Sequence, residues 1–212
     1  MASDTKQSPP PGAPPVREYA ARRVAALQSM FLRGEPAARG TLAQLRRADV
    51  PSPDGVLDVM TVAFVDPPES LIGRGDEPSR AEKALASALC LYSIHQQSKN
   101  EPMHVAGQGL GKAVRRLAIP EDSASREKPV MRRFQSLNTA SDPSEVMHHL
   151  RGLIAQFRGD SIPLDYGALA EDLYRLQDPR TRTAVRLKWA RELTRRSKKD
   201  AKEEASLPDS NN

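Results

Sequence analysis

Apolar residues in this chain recur at helical spacing, and prolines and helix-capping residues mark where the segments begin and end. The clearest segment covers residues 16–32, where Tyr19, Arg23, Leu27 and Phe31 follow one another at intervals of four. This interval places all four side chains on one face of an α-helix. No segment shows the β-branched alternation or the hairpin turns that are typical of strands. The sequence therefore predicts an all-α protein.

About nine helices follow from the same signals. Ser79 and Glu82 form a capping box, Asp142 and Asp165 are N-caps, and Asp178 with Pro179 opens the last helix. Pro129 suits the first turn of a helix. The predicted helices cover residues 16–32, 41–48, 55–65, 80–97, 110–118, 129–137, 143–157, 166–176 and 179–196.

Composition divides the chain into four parts. Residues 1–15 are rich in proline and residues 197–212 are polar and charged, so we expect both tails to be disordered. The turn region at 100–107 separates two small helical bundles. We therefore predict an N-terminal helical lobe at 16–102 and a C-terminal basic helical lobe at 103–196.

The positive charge is confined to the second of these lobes. Residues 103–199 hold nineteen Lys and Arg against eleven Asp and Glu, residues 1–102 hold twelve of each sign, and residues 200–212 have a net charge of −3. A concentrated positive field attracts polyanions and releases counterions from phosphates. Because aromatic residues make up only 4% of the chain, base stacking is disfavoured. The charge thus predicts nucleic-acid binding through phosphates, without sequence specificity.

The basic residues fall on particular predicted helices. Lys112, Arg115 and Arg116 are spaced i, i+3 and i+4 and so share one face. Arg132 and Arg133 begin the next helix. The start of the last helix carries Arg180, Arg182 and Arg186. Isolated basic residues usually form a solvated face, and this alternative stays open for each of them.

Motifs for catalysis or cofactor binding are incomplete. The glycine-rich run at 107–112 fits neither phosphate-loop template and predicts no nucleotide cofactor, although a nucleic-acid phosphate can sit at the helix start that follows it. The adjacent His148 and His149 point in different directions, so no metal site is expected. Among the carboxylates Asp165, Glu171 and Asp172, the first is a helix cap and the other two are neighbours on different sides of a helix, which leaves no acid–base pair. We expect no enzyme, no metal and no cofactor.

The single cysteine, Cys90, lies in an apolar run and is expected to be a buried, inert thiol. One cysteine excludes an intramolecular disulfide and fits a reducing compartment. No apolar run approaches the ~18–20 residues that cross a bilayer. We expect a soluble cytoplasmic protein with no membrane contact.

A series of short motifs also resembles a known family. In chain order the motifs are LYSIHQQ at 91–97, LGKA at 110–113, RRFQSL at 132–137, HLR at 149–151, IPLDY at 162–166, DLY at 172–174 and VRLKWA at 185–190. Their order and spacing resemble the CasB family, the small subunit of the type I-E CRISPR surveillance complex Cascade. Leu176 and Leu193-Thr194 depart from the aromatic residues that members often carry there.

The resemblance implies an all-α, non-catalytic subunit of a multi-subunit RNA-guided complex that acts in antiviral defence. It implies a homodimer within that complex, beside the backbone and large subunits and in contact with guide RNA and single-stranded DNA. The subunit would hold the displaced DNA strand and so stabilise the R-loop. Residues carried over by position are Arg80, Lys112, Arg151, Arg180 and Arg182. The alternative function is a helical protein–protein adaptor with no direct nucleic-acid contact.

Overall fold

The computed structural model describes residues 15–118 and 124–195. Within these ranges the protein has nine α-helices, a 3-10 turn at Glu69–Leu71 and no strand. The helices are α1 (Val16–Leu32), α2 (Pro36–Arg47), α3 (Pro53–Ala63), α4 (Arg80–His95), α5 (Leu110–Ala118), α6 (Ala124–Thr139), α7 (Pro143–Gly159), α8 (Tyr166–Leu176) and α9 (Pro179–Thr194). The predicted all-α class is confirmed. The predicted tails, apart from Pro15, lie outside the described residues.

Three predicted helix starts were wrong, and each involves a proline. Helix α3 begins at Pro53 instead of residue 55, with Ser52 as its N-cap. Helix α2 begins at Pro36 instead of residue 41, because a proline at the first position needs no backbone donor. Helix α6 begins at Ala124, so Pro129 lies inside it and not in its first turn. A proline inside a helix removes one backbone hydrogen bond, and here the helix continues across that gap. Arg132 and Arg133 consequently lie in the middle of α6.

All four predicted N-caps are confirmed. The Ser79 hydroxyl accepts a hydrogen bond from the Glu82 amide at 3.2 Å, and the Glu82 carboxylate accepts one from the Ser79 amide at 2.6 Å. Asp142, Asp165 and Asp178 each accept from a backbone amide in the first turn of α7, α8 and α9. These caps satisfy amides that have no partner inside the helix, and so they fix where each helix starts.

Helix α4 is the centre of the fold. It packs against α1, α2, α3, α7 and α8. Its large apolar side chains, among them Leu85, Leu89 and Tyr92, are buried, and the opposite face is buried as well. Alanine and serine fill much of α4, so neighbouring helices can approach it from several sides. A helix that is apolar or small all round is expected in a protein interior.

One continuous cluster of buried apolar residues runs from Val16 in α1 to Trp189 in α9. Helix α8 packs against both α1 and α4, which lie before residue 102 in the chain. The backbone of Leu164 also exchanges hydrogen bonds with Met103 and Val105, at 3.0 and 3.2 Å. The division into lobes at 16–102 and 103–196 stays a prediction.

Helix α9 is anchored to α8 through a buried carboxylate. Both oxygens of Asp172 accept hydrogen bonds from the Lys188 ammonium at 2.8 Å, and one also accepts from the Trp189 indole at 2.7 Å. Asp172 and Trp189 are fully buried in the interior. Burial disfavours the charged form of Asp172 and so raises its pKa. The neighbouring Lys188 ammonium acts in the opposite direction and stabilises the carboxylate. This contact fixes the position of the basic side chains on α9.

Candidate nucleic-acid interface

Helix α5 presents part of the predicted basic face to solvent. Lys112 and Arg116 are exposed, and Arg116 has no ion pair with any described residue. Lys112 donates a hydrogen bond to the Gly107 carbonyl at 2.9 Å, which closes the loop before the helix. Arg115 is half-buried and its guanidinium donates to the carbonyl of Arg195 at the end of α9. The structure therefore separates Arg115, which contacts α9, from its two exposed neighbours.

The two adjacent arginines of α6 have different environments. Helix α6 packs against α5 and α7. Arg132 is exposed, whereas the guanidinium of half-buried Arg133 lies directly over Gly152 of α7. A side chain at residue 152 would collide with this guanidinium, so the glycine makes room for it. We define the α5–α6 surface by its exposed cations Lys112, Arg116 and Arg132.

A groove of about 390 Å³ lies between α4, α7, α8 and the start of α9. Three cations line it, namely Arg80, Lys83 and Arg182, and we call this groove with its lining the α4–α9 groove. Its lining also includes Pro51, Ala84, Ser87, Ser141, Pro143, Val146, Met147, Leu173, Leu176 and Gln177. No acidic residue is among these lining residues. The groove thus combines apolar walls with an excess of positive charge.

Sequence reasoning missed Lys83. Its side chain is half-buried in the α4–α9 groove and makes no hydrogen bond or ion pair within the described part of the chain. Lys83 follows Arg80 by three residues, so both lie on the same face of α4. That spacing could have identified Lys83, but it lies in the half of the chain with no net charge.

Asp178 organises the cations beside the groove. It accepts two hydrogen bonds from the Arg180 guanidinium, at 2.9 and 3.1 Å, and pairs with Arg80 at 3.3 Å. Hydrogen bonds from Arg180 hold the pKa of Asp178 well below its ordinary range. The Arg80 guanidinium also stacks on the Tyr174 ring, 5.3 Å from its centroid. Asp178 therefore offsets one of these two positive charges.

Besides Arg115, three more predicted arginines donate to carbonyl oxygens of the protein itself. Arg151 donates to the carbonyl of Ala48 and to the sulfur of buried Cys90, both at 3.4 Å. Arg186 donates to the Ala140 carbonyl at 2.6 Å, and Arg182 to the Leu176 carbonyl at 3.0 Å. A guanidinium has five N–H donors, so each of these contacts leaves others unused. Arg151 thus links α7 to the first half of the chain.

The start of α5 is occupied by a carboxylate of the same protein. Glu192 of α9 accepts a hydrogen bond from the Gly111 amide at 3.0 Å, and burial raises its pKa. A phosphate at this helix start, which the sequence allowed, would have to displace Glu192. The helix start therefore does not extend the α5–α6 surface.

The candidate catalytic groups have structural partners. Asp165 caps α8 and also accepts from the Gly107 amide at 2.9 Å, while Asp172 holds α9. His95 is buried and its Nδ1 lies 2.9 Å from the Tyr166 hydroxyl. Within residues 15–118 and 124–195, no group of three or more His, Cys, Asp or Glu residues is placed to hold a metal ion. In the same ranges, no helix is long and apolar enough to span a membrane.

Fold and surface together define an all-α protein with a cation-lined groove and a second, exposed basic surface. The family model described as CRISPR-associated protein Cse2 matches residues 41–192. The chain is also similar to CasB from Thermobifida fusca, whose crystal structure aligns with a TM-score of 0.68 and 32% sequence identity. The alignment covers 85% of this chain and 98% of that one. No curated protein matches the chain by sequence.

The chain therefore belongs to the Cse2 family, the small subunit of the type I-E Cascade complex, as the motif series predicted. Members of this family are structural, non-catalytic subunits. Membership implies association with other Cascade components.

Proposed function

We propose that this Cascade small subunit binds nucleic acid without sequence specificity and stabilises the R-loop by holding the displaced DNA strand. The observation that carries the proposal is the α5–α6 surface. Arg116 and Arg132 are exposed and unpaired with any described acid, and Lys112, one turn before Arg116 on α5, is exposed as well. Unpaired, solvated cations can release the counterions of a phosphate backbone when it binds.

The energetics of strand exchange make such a surface effective. An RNA–DNA heteroduplex is about as stable as the DNA duplex that it replaces, so small contributions decide the balance. Phosphate contacts act equally on any sequence, which suits a subunit that meets different targets. A grip on the displaced strand opposes re-formation of the original duplex. The same cations can contact guide RNA through its phosphates.

The proposal includes the assembly that the resemblance implies. The subunit pairs as a homodimer within the complex and lies beside the backbone and large subunits. The predicted residues Arg80, Arg180 and Arg182 would extend the basic track from the second half of the chain to α4. Contacts of Arg115, Arg133, Arg151 and Arg186 within the protein support a mainly structural role for these four.

The test reverses three charges in the reconstituted complex, as Lys112→Glu, Arg116→Glu and Arg132→Glu together. Each lost phosphate contact reduces the log–log salt slope for a single strand by ~0.7, so three contacts predict a reduction of about 2. The equilibrium constant for R-loop formation, measured across a salt series, gives this slope. The matched control reverses Arg39, Arg47 and Arg74, three exposed arginines of the first half of the chain.

An unchanged slope in a complex that still contains the subunit would overturn the proposal. If the triple variant instead fails to join the complex while the control joins, the basic surface meets a protein partner. That result would favour the alternative function, an adaptor without nucleic-acid contact.

A further inference from the structure

We propose that the α4–α9 groove binds the acidic segment 203–209 of the same chain. This segment lies beyond the described residues, and its charge and apolar content match the lining of the groove. Docking of the segment would cover the cations Arg80, Lys83 and Arg182.

The lining of the groove is complementary to an anionic ligand that also has a small apolar part. Its three lining cations face no lining acid, and Asp178 beside it is already shared between Arg80 and Arg180. Lys83 has no described partner for its ammonium. Between these cations the wall is made of Val146, Leu173 and other apolar side chains. Unpaired charge beside apolar surface favours a ligand that satisfies both at once.

The segment 203–209 has this composition. It reads Glu-Glu-Ala-Ser-Leu-Pro-Asp and holds three acids, with no Lys or Arg from residue 203 to residue 212. Leu207 and Pro208 lie between the acids Glu204 and Asp209. Three negative charges match the three lining cations, and the Leu-Pro pair can contact the apolar wall.

The chain between α9 and the segment is long enough to reach the groove. Arg182 precedes Thr194 by twelve residues, so the groove end of α9 lies about 18 Å from its C-terminus along the helix axis. The eight steps from Arg195 to Glu203 span up to ~26 Å when extended. Because the segment is tethered, its effective concentration at the groove is on the order of millimolar. Weak electrostatic and apolar contacts are therefore sufficient for docking.

Docking has a consequence for the proposed function. A nucleic-acid strand that uses Arg80 and Arg182 would have to displace the acidic segment, which makes the segment an intramolecular competitor. This consequence rests on the proposed function, whereas the docking itself does not.

Disulfide trapping in the full chain tests the docking without nucleic acid. Ser141 is exposed and lines the groove, and Ser206 lies in the middle of the segment, so Ser141→Cys and Ser206→Cys are paired. The control pairs Ser206→Cys with Ser70→Cys, at an exposed position in the 3-10 turn. Cys90 is buried and stays unchanged. We expect the groove pair to close about tenfold faster than the control pair, as measured by mass mapping of the intramolecular disulfide.

Two variants decide whether charge carries the docking. Lys83→Glu in the groove, or Glu203→Gln, Glu204→Gln and Asp209→Asn in the segment, should slow closure to the control rate. Salt of about 1 M, which shortens the Debye length to ~3 Å, should do the same. The segment variant leaves every described residue unchanged, so its effect cannot come from misfolding of the groove. Equal rates for the two cysteine pairs, or a fast rate that survives the segment variant, would overturn the proposal.

Discussion

The contact between Asp172, Lys188 and Trp189 predicts a specific pattern of lost stability. Replacing Asp172 with alanine removes the acceptor of three hydrogen bonds. The Lys188 side chain is 32% exposed, so its ammonium can turn to water and form hydrogen bonds there in place of those to Asp172. The Trp189 indole N–H cannot do so, because the residue is fully buried. An unsatisfied buried donor costs about 1–3 kcal/mol, and breaking a buried ion pair costs ~3–5 kcal/mol in total. Because Lys188 is partly exposed, we expect Asp172→Ala to lower the free energy of unfolding by about 3 kcal/mol, near the lower end of that range.

Asp172→Asn separates the two contributions. Its amide oxygen can still accept from the indole, so this variant loses mainly the charge attraction to Lys188. We expect it to cost about 1–2 kcal/mol, roughly half the cost of the alanine variant. The pair Asp172→Asn with Lys188→Met should lose less than the sum of its parts, because no buried charge is left without a partner.

Urea unfolding at pH 7 followed by circular dichroism measures these differences. Trp189 is the only tryptophan of the chain, so tryptophan fluorescence reports directly on its contact with Asp172. The variants must share the same dependence of unfolding free energy on urea concentration (the m value) before their midpoints are converted to free energies. A loss below about 1 kcal/mol for Asp172→Ala would refute the claim that the indole depends on this acceptor. Equal losses for the alanine and asparagine variants would refute it as well.

Burial lowers the pKa of His95 to about 4, below the ordinary value of 6.5. Between these two pH values the unfolded chain binds a proton that the folded chain does not, so the free energy of unfolding falls as the pH is lowered through this window. The stability advantage of the wild type over His95→Gln should therefore shrink by about 2 kcal/mol from pH 7 to pH 5. Denaturant titrations in which both proteins show the same pH dependence would contradict this. A Cβ on Gly111 would overlap the Trp189 carbonyl oxygen and lie 2.7 Å from the Glu192 Cβ, so Gly111→Ala must separate α5 from α9 and should lower the melting temperature. Gly40→Ala in α2 meets nothing within 4 Å and should stabilise the protein by about 0.5–1 kcal/mol, so a melting temperature for Gly111→Ala at or above that of this control would be inconsistent with the packing.

Local signals predicted the helices well because they act over a few residues. Ser79 with Glu82, and Asp142, Asp165 and Asp178, are caps in the structure as they are in the sequence. The three wrong starts, at Pro36, Pro53 and Ala124, each involve a proline whose role depends on the turn that precedes it. The burial of α4 on all sides depends on its packing against α1, α7 and α8, which are far away in sequence.

Which cations are available to a ligand depends on partners distant in the chain. Arg151 donates to Ala48, 103 residues away, and Arg186 to Ala140, 46 residues away, and no local pattern indicates either contact. Lys83 was overlooked because net charge by segment does not show that α4 faces the start of α9.

The sequence by itself determined that the chain is helical, where most helices start, and which family it belongs to. Periodicity, capping and motif order are properties of neighbouring residues, so they can be read before the chain folds. Only the tertiary structure decided which basic side chains face solvent and which donate to the protein's own carbonyls. A guanidinium finds its partner through space, and only packing of the helices around α4 brings those partners within hydrogen-bond distance.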